Sequence, residues 1–240
     1  MSAFLWIDGV SKHFGGLRAV DNVAFSVEAG ELVCLIGPNG AGKTTLFNLL
    51  TGQLAPTAGR VLFEGRDVSR LAPDRRARLG FGRTFQISQT LTSMSVLENG
   101  MVGAFLHHRG IADAADAAAR ALDLVGLGAR AADRAGALTL GERRRLEVAR
   151  ALAMEPRIVL LDEVMAGLNQ TEVVEIVDLV RRLNAQGLTF LVIEHNLKVV
   201  RAFSRRVIVL NRGALLAEGR AEEVLNDPAV IESYIGRRRE

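Results

Sequence analysis

The chain has 240 residues, of which 49% are hydrophobic and 5% aromatic, with one cysteine and a formal net charge of +3. This length fits one large α/β domain or two small ones, and the aliphatic bias favours a parallel sheet over an aromatic-rich β sandwich. A single cysteine, Cys34, excludes an internal disulfide, fits a reducing compartment and is expected to be a small buried hydrophobe. We expect no signal peptide and no membrane-spanning segment, because no uninterrupted apolar run is long enough.

The arginines cluster at three places, residues 75–78, 143–145 and 237–239. A nucleic-acid site would interleave such residues with aromatic side chains that stack on bases, and none is interleaved here. We therefore expect solvated helix faces or a contact with a membrane partner, and no nucleic-acid ligand.

The chain opens with a predicted strand over residues 4–10, a polar glycine-bearing loop over residues 11–16 and a second strand over residues 23–27. Phe14 lies in the loop and has two interpretations. It is either a core residue, which the usual burial of aromatics favours, or a plate on which an adenine stacks.

A glycine-rich loop follows a third predicted strand, residues 32–36, and precedes a helix over residues 45–50 that Gly52 ends. The loop matches G-x-x-x-x-G-K-[ST], a phosphate-binding pattern that requires this strand–loop–helix context. Glycines let successive N–H groups point at phosphates, and the helix N-terminus adds partial positive charge. Lys43 is expected to contact the outer phosphates and Thr44 to ligate Mg²⁺. The predicted nucleotide contacts are Gly37, Pro38, Asn39, Gly40, Ala41, Gly42, Lys43, Thr44 and Thr45.

The middle of the chain changes from strands to helices. Residues 60–68 predict a strand pair, residues 75–79 a short basic helix, and residues 81–86 a strand that ends at Gln86. From residue 95 to residue 134 alanine dominates and larger apolar residues recur at helical spacing, which predicts a helical insertion.

A strong helix over residues 143–154 follows, with Thr139 and Gly141 where it would begin. That start is a second candidate anion-binding helix N-terminus. Adjacent His107 and His108 would point to different faces of a helix, and without a carboxylate cluster they do not predict a metal site.

Two buried strands end in polar residues. Residues 157–163 place four aliphatic side chains before Asp162 and Glu163, and residues 189–193 lead into His195. Ligands bind at the carboxyl ends of parallel strands, so Asp162 is a candidate Mg²⁺ ligand and Glu163 a candidate base for attack on a γ-phosphate. The alternative interpretations are that Asp162 and Glu163 are a surface acid pair and that His195 has a structural role. Between and after these strands we expect a helix over residues 171–184, a hairpin over residues 207–218, and helices over residues 221–225 and 229–235.

Together these motifs resemble the ATP-binding cassette (ABC) ATPases over essentially the whole chain. The resemblance implies a P-loop NTPase fold: a parallel sheet with flanking helices, an N-terminal antiparallel β subdomain and an inserted helical signature subdomain. It implies one domain over residues 1–240 with the insertion at approximately residues 95–153. ATP and Mg²⁺ are the implied ligands.

By the same resemblance Phe14 is the adenine-stacking aromatic, and Val20 a further nucleotide contact. Gln86 is the glutamine that senses nucleotide and metal, and Thr139 and Gly141 belong to the signature motif. The catalytic residues implied are Glu163, as the base, and His195, which holds the γ-phosphate, while Asp162 is the metal-binding aspartate. The signature reads Leu-Thr-Leu-Gly-Glu at residues 138–142, where the family usually has Leu-Ser-Gly-Gly-Gln. Asn169 and Val164 also stand where the family usually has Asp and Pro.

Closer resemblance is to the LivG-type subunits of branched-chain amino acid importers, through residues 12–17, 83–86, 166–169, 193–196 and 217–236. That group implies integral membrane permease subunits, a second ATP-binding subunit in a head-to-tail dimer (an identical or a different chain), and an external substrate-binding protein. It also implies a peripheral position on the cytoplasmic face of the inner (plasma) membrane.

Three other functions remain open at this stage. Residues 141–145 also resemble the ATPase of a lipopolysaccharide exporter. A soluble ABC ATPase acting on ribosomes or DNA would be expected to carry a second cassette, a long heptad insertion or a basic tail. A P-loop kinase or switch protein would leave the motif at residues 138–142 and His195 without a role.

Overall fold

The structure is a computed structural model that describes residues 3–84 and 90–235. The chain divides into two compact units, one formed by Met1–Arg76 with Thr189–Glu240 and the other by Ala77–Leu188. The expectation of one domain with an insertion at about residues 95–153 stays a prediction.

The strands of the first unit are β1 (Leu5–Phe14), β2 (Leu17–Val27), β3 (Leu32–Ile36), β4 (Ala58–Phe63), β5 (Arg66–Asp67), β8 (Thr189–Ile193), β9 (Arg206–Asn211) and β10 (Ala214–Arg220); the second unit has β6 (Phe81–Arg83) and β7 (Ile158–Asp162). In the first unit an antiparallel sheet has the order β2-β1-β4-β5, and a second sheet runs β10-β9-β3-β8. Strand β3 is parallel to β8 and β9, and β6 is parallel to β7. These arrangements match the predicted α/β class with an antiparallel β subdomain.

The helices are α1 (Lys43–Leu50), α2 (Pro73–Arg78), α3 (Val96–Ala104), α4 (Ile111–Leu124), α5 (Leu140–Leu152), α6 (Gln170–Ala185), α7 (Leu197–Phe203), α8 (Ala221–Val224) and α9 (Pro228–Ile235). Helix α7 was not predicted. Its buried residues Val199, Val200 and Phe203 form an apolar stripe, and Asn196 caps its start by accepting a hydrogen bond from Lys198 N. Among the described residues no helix combines the length and apolar character that crossing a bilayer requires.

Strand β1 continues through residues 11–14, where the sequence predicted a loop. Lys12 pairs with Val20 and Phe14 with Leu17, so the turn is confined to two glycines, residues 15 and 16. The register shifts between Ile7 and Lys12, which breaks the period-two pattern by which a strand is recognised from sequence.

The core of the first unit is aliphatic. All five residues of β8 are buried, as are the last four of β3, because these strands are covered on both faces. Cys34 lies within β3 and is buried, which confirms its expected role as a small apolar residue. Burial raises the pKa of its thiol to about 12.

One arginine of the first cluster is not solvated, contrary to the sequence expectation. Arg76 has no exposed surface and donates to the carbonyl oxygens of Leu49 and Leu50, at 2.5 and 2.7 Å, and of Ser69, at 2.8 Å. Burial lowers the pKa of its guanidinium to about 10. The carbonyls at the end of a helix lack partners within the helix, so Arg76 satisfies the C-terminus of α1.

The second cluster also contains a buried member. Arg144 is paired with Glu147 one turn away, at 3.1 Å, and both side chains are less than a tenth exposed. Arg144 and Glu147 both lie on the buried face of α5. Three consecutive arginines in the sequence do not indicate which of them lies on that face.

Candidate active site

The glycine-rich loop lies between β3 and α1, as predicted. Gly42 has a φ of 100°, and a Cβ there would lie 2.4 Å from the Ala19 carbonyl oxygen. At Gly37 the φ is 150° and a Cβ would lie 2.2 Å from the Leu210 carbonyl oxygen. Both positions therefore require glycine, for backbone conformation and for close approach of neighbouring chain.

Lys43 closes the loop from the first residue of α1. Its Nζ donates to the carbonyl oxygens of Gly37, at 2.7 Å, and Pro38, at 3.1 Å, and the side chain is buried. Gly42 is the N-cap of α1, and no side chain caps this end of the helix. The first N–H groups of α1 and one ammonium thus converge on the loop, which is a suitable environment for phosphate.

Several other residues of the loop are accessible to solvent. Thr44, Asn39 and Gly40 are exposed, and Thr45 is half-buried. Backbone hydrogen bonds fix the loop's base, from Ala41 N to the Pro38 oxygen and from Gly213 N to the Ala41 oxygen. The accessible groups are therefore held on an ordered backbone.

Phe14 is not a core residue. Its side chain is 47% exposed at the end of β1, and the Lys12 ammonium lies 5.2 Å from the ring centroid. Exposure leaves a ring face for stacking, as the nucleotide-binding interpretation requires. Val20, by contrast, has no exposed surface, so the predicted contact of Val20 with nucleotide gains no support from the structure.

His195 is exposed two residues after β8. Leu35 of β3 pairs in parallel with Ile193 of β8, and the phosphate loop begins two residues after Leu35. Parallel register therefore brings His195 and Gly37 to the same sheet edge. Glu194, in between, is buried and accepts a hydrogen bond from His195 N at 3.3 Å.

A cavity of about 600 Å³ lies beside the phosphate loop within the first unit. Besides residues 38–41 its walls include Asn211 and Arg212 of the β9–β10 turn and Glu232 and Ser233 of α9. Tyr234 of α9 lies near Gly37, and burial raises the pKa of its hydroxyl to about 12, an effect that the Gly37 backbone partly offsets. The last helix is thus part of the loop's surroundings, which the sequence did not indicate.

In the second unit Asp162 is the last residue of β7 and is 1% exposed. Its Oδ2 accepts a hydrogen bond from Arg83 Nη2 at 3.0 Å, and its N–H donates to Thr84 Oγ1 at 3.2 Å. Glu163 follows with partial exposure and a left-handed φ of 50°, which is uncommon for a residue with a side chain. Its carbonyl accepts from Ala166 N at 3.0 Å, which forms the turn that follows.

The predicted anion-binding start of α5 is capped by its own side chains. Thr139 Oγ1 accepts from Glu142 N at 3.3 Å, and Thr139 N donates to Glu142 Oε2 at 2.8 Å. This backbone hydrogen bond from Thr139 is the main cause that lowers the pKa of Glu142, and a salt bridge with Arg130 adds to it. Gly141 is buried, and a Cβ there would lie 2.6 Å from Glu172 Oε1, so a larger residue would have to displace the Glu172 side chain of α6.

Gln86 lies outside the described residues, and the prediction for it stays a prediction. Sequence reasoning gave no role to Arg83, the partner of Asp162, or to Tyr234, the neighbour of Gly37. A usable signal existed for Arg83, because an arginine at the end of one strand can pair with an acid at the end of the next. No comparable signal marked Tyr234.

Two family models match the chain. The model of the ABC transporter family matches residues 20–166, and that of the branched-chain amino acid ATP-binding cassette transporter matches residues 214–240. The ATP-binding protein LivG of Salmonella typhimurium, named for high-affinity branched-chain amino acid transport, is 40% identical over 248 aligned residues, covering 97% of each chain. The corresponding protein BraF of Pseudomonas aeruginosa is 39% identical with the same coverage.

The chain belongs to the ABC transporter family.

Solved structures agree with this membership. A nucleotide-free ATP-binding cassette from an ABC transporter matches with a TM-score of 0.90 and 34% identity, covering 98% of this chain and all of the other. A dimeric cassette in a post-hydrolysis state with ADP and Pi matches with a TM-score of 0.81 and 28% identity over 90% of this chain and 98% of the other. The protein is thus an ATP-binding cassette ATPase with the predicted fold.

Proposed function

We propose that this cassette hydrolyses ATP with Mg²⁺ to power the uptake of branched-chain amino acids through a membrane importer. The observation that carries the transport assignment is a likeness that spans both chains, at 40% identity and 97% coverage, together with the family match at residues 214–240. A match to the phosphate loop alone would support only nucleotide binding.

The nucleotide's phosphates are bound by the loop of residues 37–45. Lys43 supplies the positive charge, and its present hydrogen bonds to Gly37 and Pro38 keep the ammonium at the loop. Phe14 stacks on the adenine through its exposed face. His195 contacts the γ-phosphate from the edge it shares with the loop, as the parallel pairing of Leu35 with Ile193 supports.

Thr44 and Asp162 are proposed as Mg²⁺ ligands. Mg²⁺ prefers hard oxygen donors and in nucleotide sites takes one or two from the protein, which fits an exposed hydroxyl and one carboxylate. When bound, the ion neutralises charge on the phosphates. Gln86 is proposed to respond to nucleotide and metal, on family resemblance alone.

Glu163 is the proposed general base. A base must reach a water molecule and hold a lone pair free to accept its proton, and a partly exposed carboxylate after β7 meets the first requirement. Its left-handed backbone is a local departure of the kind that occurs at active sites. Thr139 and Gly141 are proposed to act on the nucleotide of a second ATP-binding subunit in a head-to-tail dimer.

Integral permeases are the proposed membrane partners, with an external binding protein completing the importer on the other side. In the second unit a cavity of about 160 Å³ has walls that include Val102, Gly103 and Met154, and Val102 is 43% exposed. Such apolar surface on a helical unit suits the insertion of a partner's side chains. The cassette would accordingly lie peripherally on the cytoplasmic face of the membrane.

The test is purification of the tagged chain from gently solubilised membranes of its own host, followed by uptake of labelled leucine, isoleucine and valine in cells lacking the gene. We expect multispanning permeases and an ATP-binding subunit to co-purify, and uptake to return with wild-type protein but not with Lys43→Met. Recovery of ribosomes or DNA instead of permeases, or uptake unaffected by loss of the gene, would contradict the proposal.

A further inference from the structure

Arg83 is placed beside the proposed metal ligand by its strand. It is the last residue of β6 and pairs with Leu160 of β7, while Thr84 N donates to the Leu160 oxygen at 3.0 Å. The parallel pairing thus brings the end of β6 alongside Asp162, the end of β7. The Arg83 side chain is 8% exposed and that of Asp162 is 1% exposed, so the ion pair is buried.

Two contacts from this segment act on different parts of Asp162. Thr84 Oγ1 accepts from the backbone N–H of Asp162 at 3.2 Å, and Arg83 Nη2 donates to the side-chain Oδ2 at 3.0 Å. The first fixes where the residue's backbone lies, and the second fixes how its carboxylate is rotated. Carboxylates that bind metals are commonly held in this way by an outer ring of hydrogen bonds.

Arg83 keeps its positive charge although burial disfavours the charged form. Burial lowers the pKa of the guanidinium, and its interaction with Asp162 partly offsets that effect. Arginine nevertheless remains protonated in proteins. Removing one member of a buried ion pair is costly.

We propose that Arg83 is a positioning residue that orients the Asp162 carboxylate for Mg²⁺. The proposal rests on the proposed function, because it takes Asp162 as a Mg²⁺ ligand. Arg83 holds Oδ2, so the orientation in which the carboxylate meets the ion is set before the ion arrives. Loss of a partner of this kind lowers metal affinity by about 10–100-fold in other metal sites.

The experiment measures binding of Mn²⁺, a spectroscopic substitute for Mg²⁺, to the full chain with a non-hydrolysable ATP analogue, by electron paramagnetic resonance. For Arg83→Met we expect the Kd for Mn²⁺ to rise by about 10–100-fold. Binding of the analogue in EDTA should not change, since Arg83 acts through Asp162 and not through the phosphates. Arg83→Lys, which keeps the charge but not the planar fork of donors, should show a smaller rise.

Arg150→Met is the matched control, because Arg150 lines the same small cavity as Arg83 and its pKa is likewise lowered by burial. This variant should bind Mn²⁺ as the wild type does. Unchanged Mn²⁺ affinity in folded Arg83→Met would overturn the proposal. If that variant does not fold, Arg83→Lys decides, and unchanged affinity there has the same meaning.

Asp162→Asn separates this inference from the proposed function. If it binds Mn²⁺ poorly while Arg83→Met binds normally, Asp162 is a ligand and only the positioning role of Arg83 fails. If Asp162→Asn binds Mn²⁺ normally, the assignment of Asp162 as a ligand fails, and the role of Arg83 fails with it.

Discussion

Asp162 and Glu163 are adjacent carboxylates in very different surroundings. Asp162 is almost fully buried, and its side chain and backbone are held by Arg83 and Thr84. Glu163 is partly exposed and adopts a left-handed backbone, a conformation that costs roughly 1–3 kcal/mol for residues other than glycine. A fixed carboxylate suits a metal ligand and an accessible one suits a proton acceptor, so these surroundings are compatible with the two roles proposed for Asp162 and Glu163.

Phe14→Ala is expected to weaken ATP binding with little effect on the free energy of unfolding. A stacked aromatic contributes roughly 1–3 kcal/mol per base, which is about a five- to 150-fold change in Kd. The ring is 47% exposed, so its removal opens no core cavity. The measurement is titration of a fluorescent ATP analogue.

Phe105→Ala is the matched control for this prediction, because Phe105 is also 47% exposed but lies just after α3, in the second unit. Its nucleotide affinity should equal that of the wild type. Equal affinities of Phe14→Ala and Phe105→Ala would remove Phe14 from the nucleotide site.

Among the elements, α1 has one end free for a ligand and the other end fixed by the protein. No side chain caps its N-terminus at Gly42, where N–H groups are proposed to meet phosphate. At its C-terminus Arg76 receives the carbonyls of Leu49 and Leu50. This difference means that α1 is anchored at the end opposite the proposed phosphate site.

Arg76→Ala should lower the free energy of unfolding by roughly 3 kcal/mol, since a buried carbonyl left without a donor costs about 1–3 kcal/mol. Arg75→Ala is the control, because Arg75 is exposed and its pairing with Asp74, at 3.9 Å, is weak; it should change stability by less than about 0.5 kcal/mol. Urea denaturation of the two variants gives the comparison. Equal stabilities would mean that Arg76 does not hold α1.

The sequence predicted the elements whose own pattern determines them. The buried strands β3, β7 and β8 were recognised as apolar runs, and α6 and the start of α5 by amphipathic spacing and capping residues. The extension of β1 to Phe14 was not predicted because the register shifts in this strand break the alternation of apolar and polar residues. Helix α7 was not predicted because Asn196, its cap, directly follows His195, and both were interpreted as the polar end of a buried strand.

For the phosphate loop, Asp162 and Glu163 the motif predicted where each residue lies relative to its strand and helix, and their roles stay predictions. Contacts between distant segments were not predictable, because one sequence carries no record of them. Arg76 shares its cluster with exposed Arg75, and only the end of α1 makes it a buried donor. Likewise the burial of Gly141 against Glu172 depends on how α5 meets α6.

At the scale of the whole molecule, the chain matches an ATP-binding cassette across nearly its full length, and its last helix is part of that match. Residues 214–240 fit the branched-chain cassette model, and within them α9 contributes walls to the cavity beside the phosphate loop. A part of the chain that matches the branched-chain transporter group thus adjoins the loop proposed to bind nucleotide. The central proposal is therefore that the protein hydrolyses ATP to power transport.

Hydrolysis of Mg²⁺-ATP by wild-type protein and by Glu163→Gln, with bound ATP counted in both, tests that claim most directly. Glu223→Gln, at an exposed carboxylate on α8, is the control and should hydrolyse ATP at the wild-type rate. We expect Glu163→Gln to bind ATP as the wild type does and to hydrolyse it about 10²–10⁴-fold more slowly, because a general base has been removed. Turnover retained by Glu163→Gln would contradict the account.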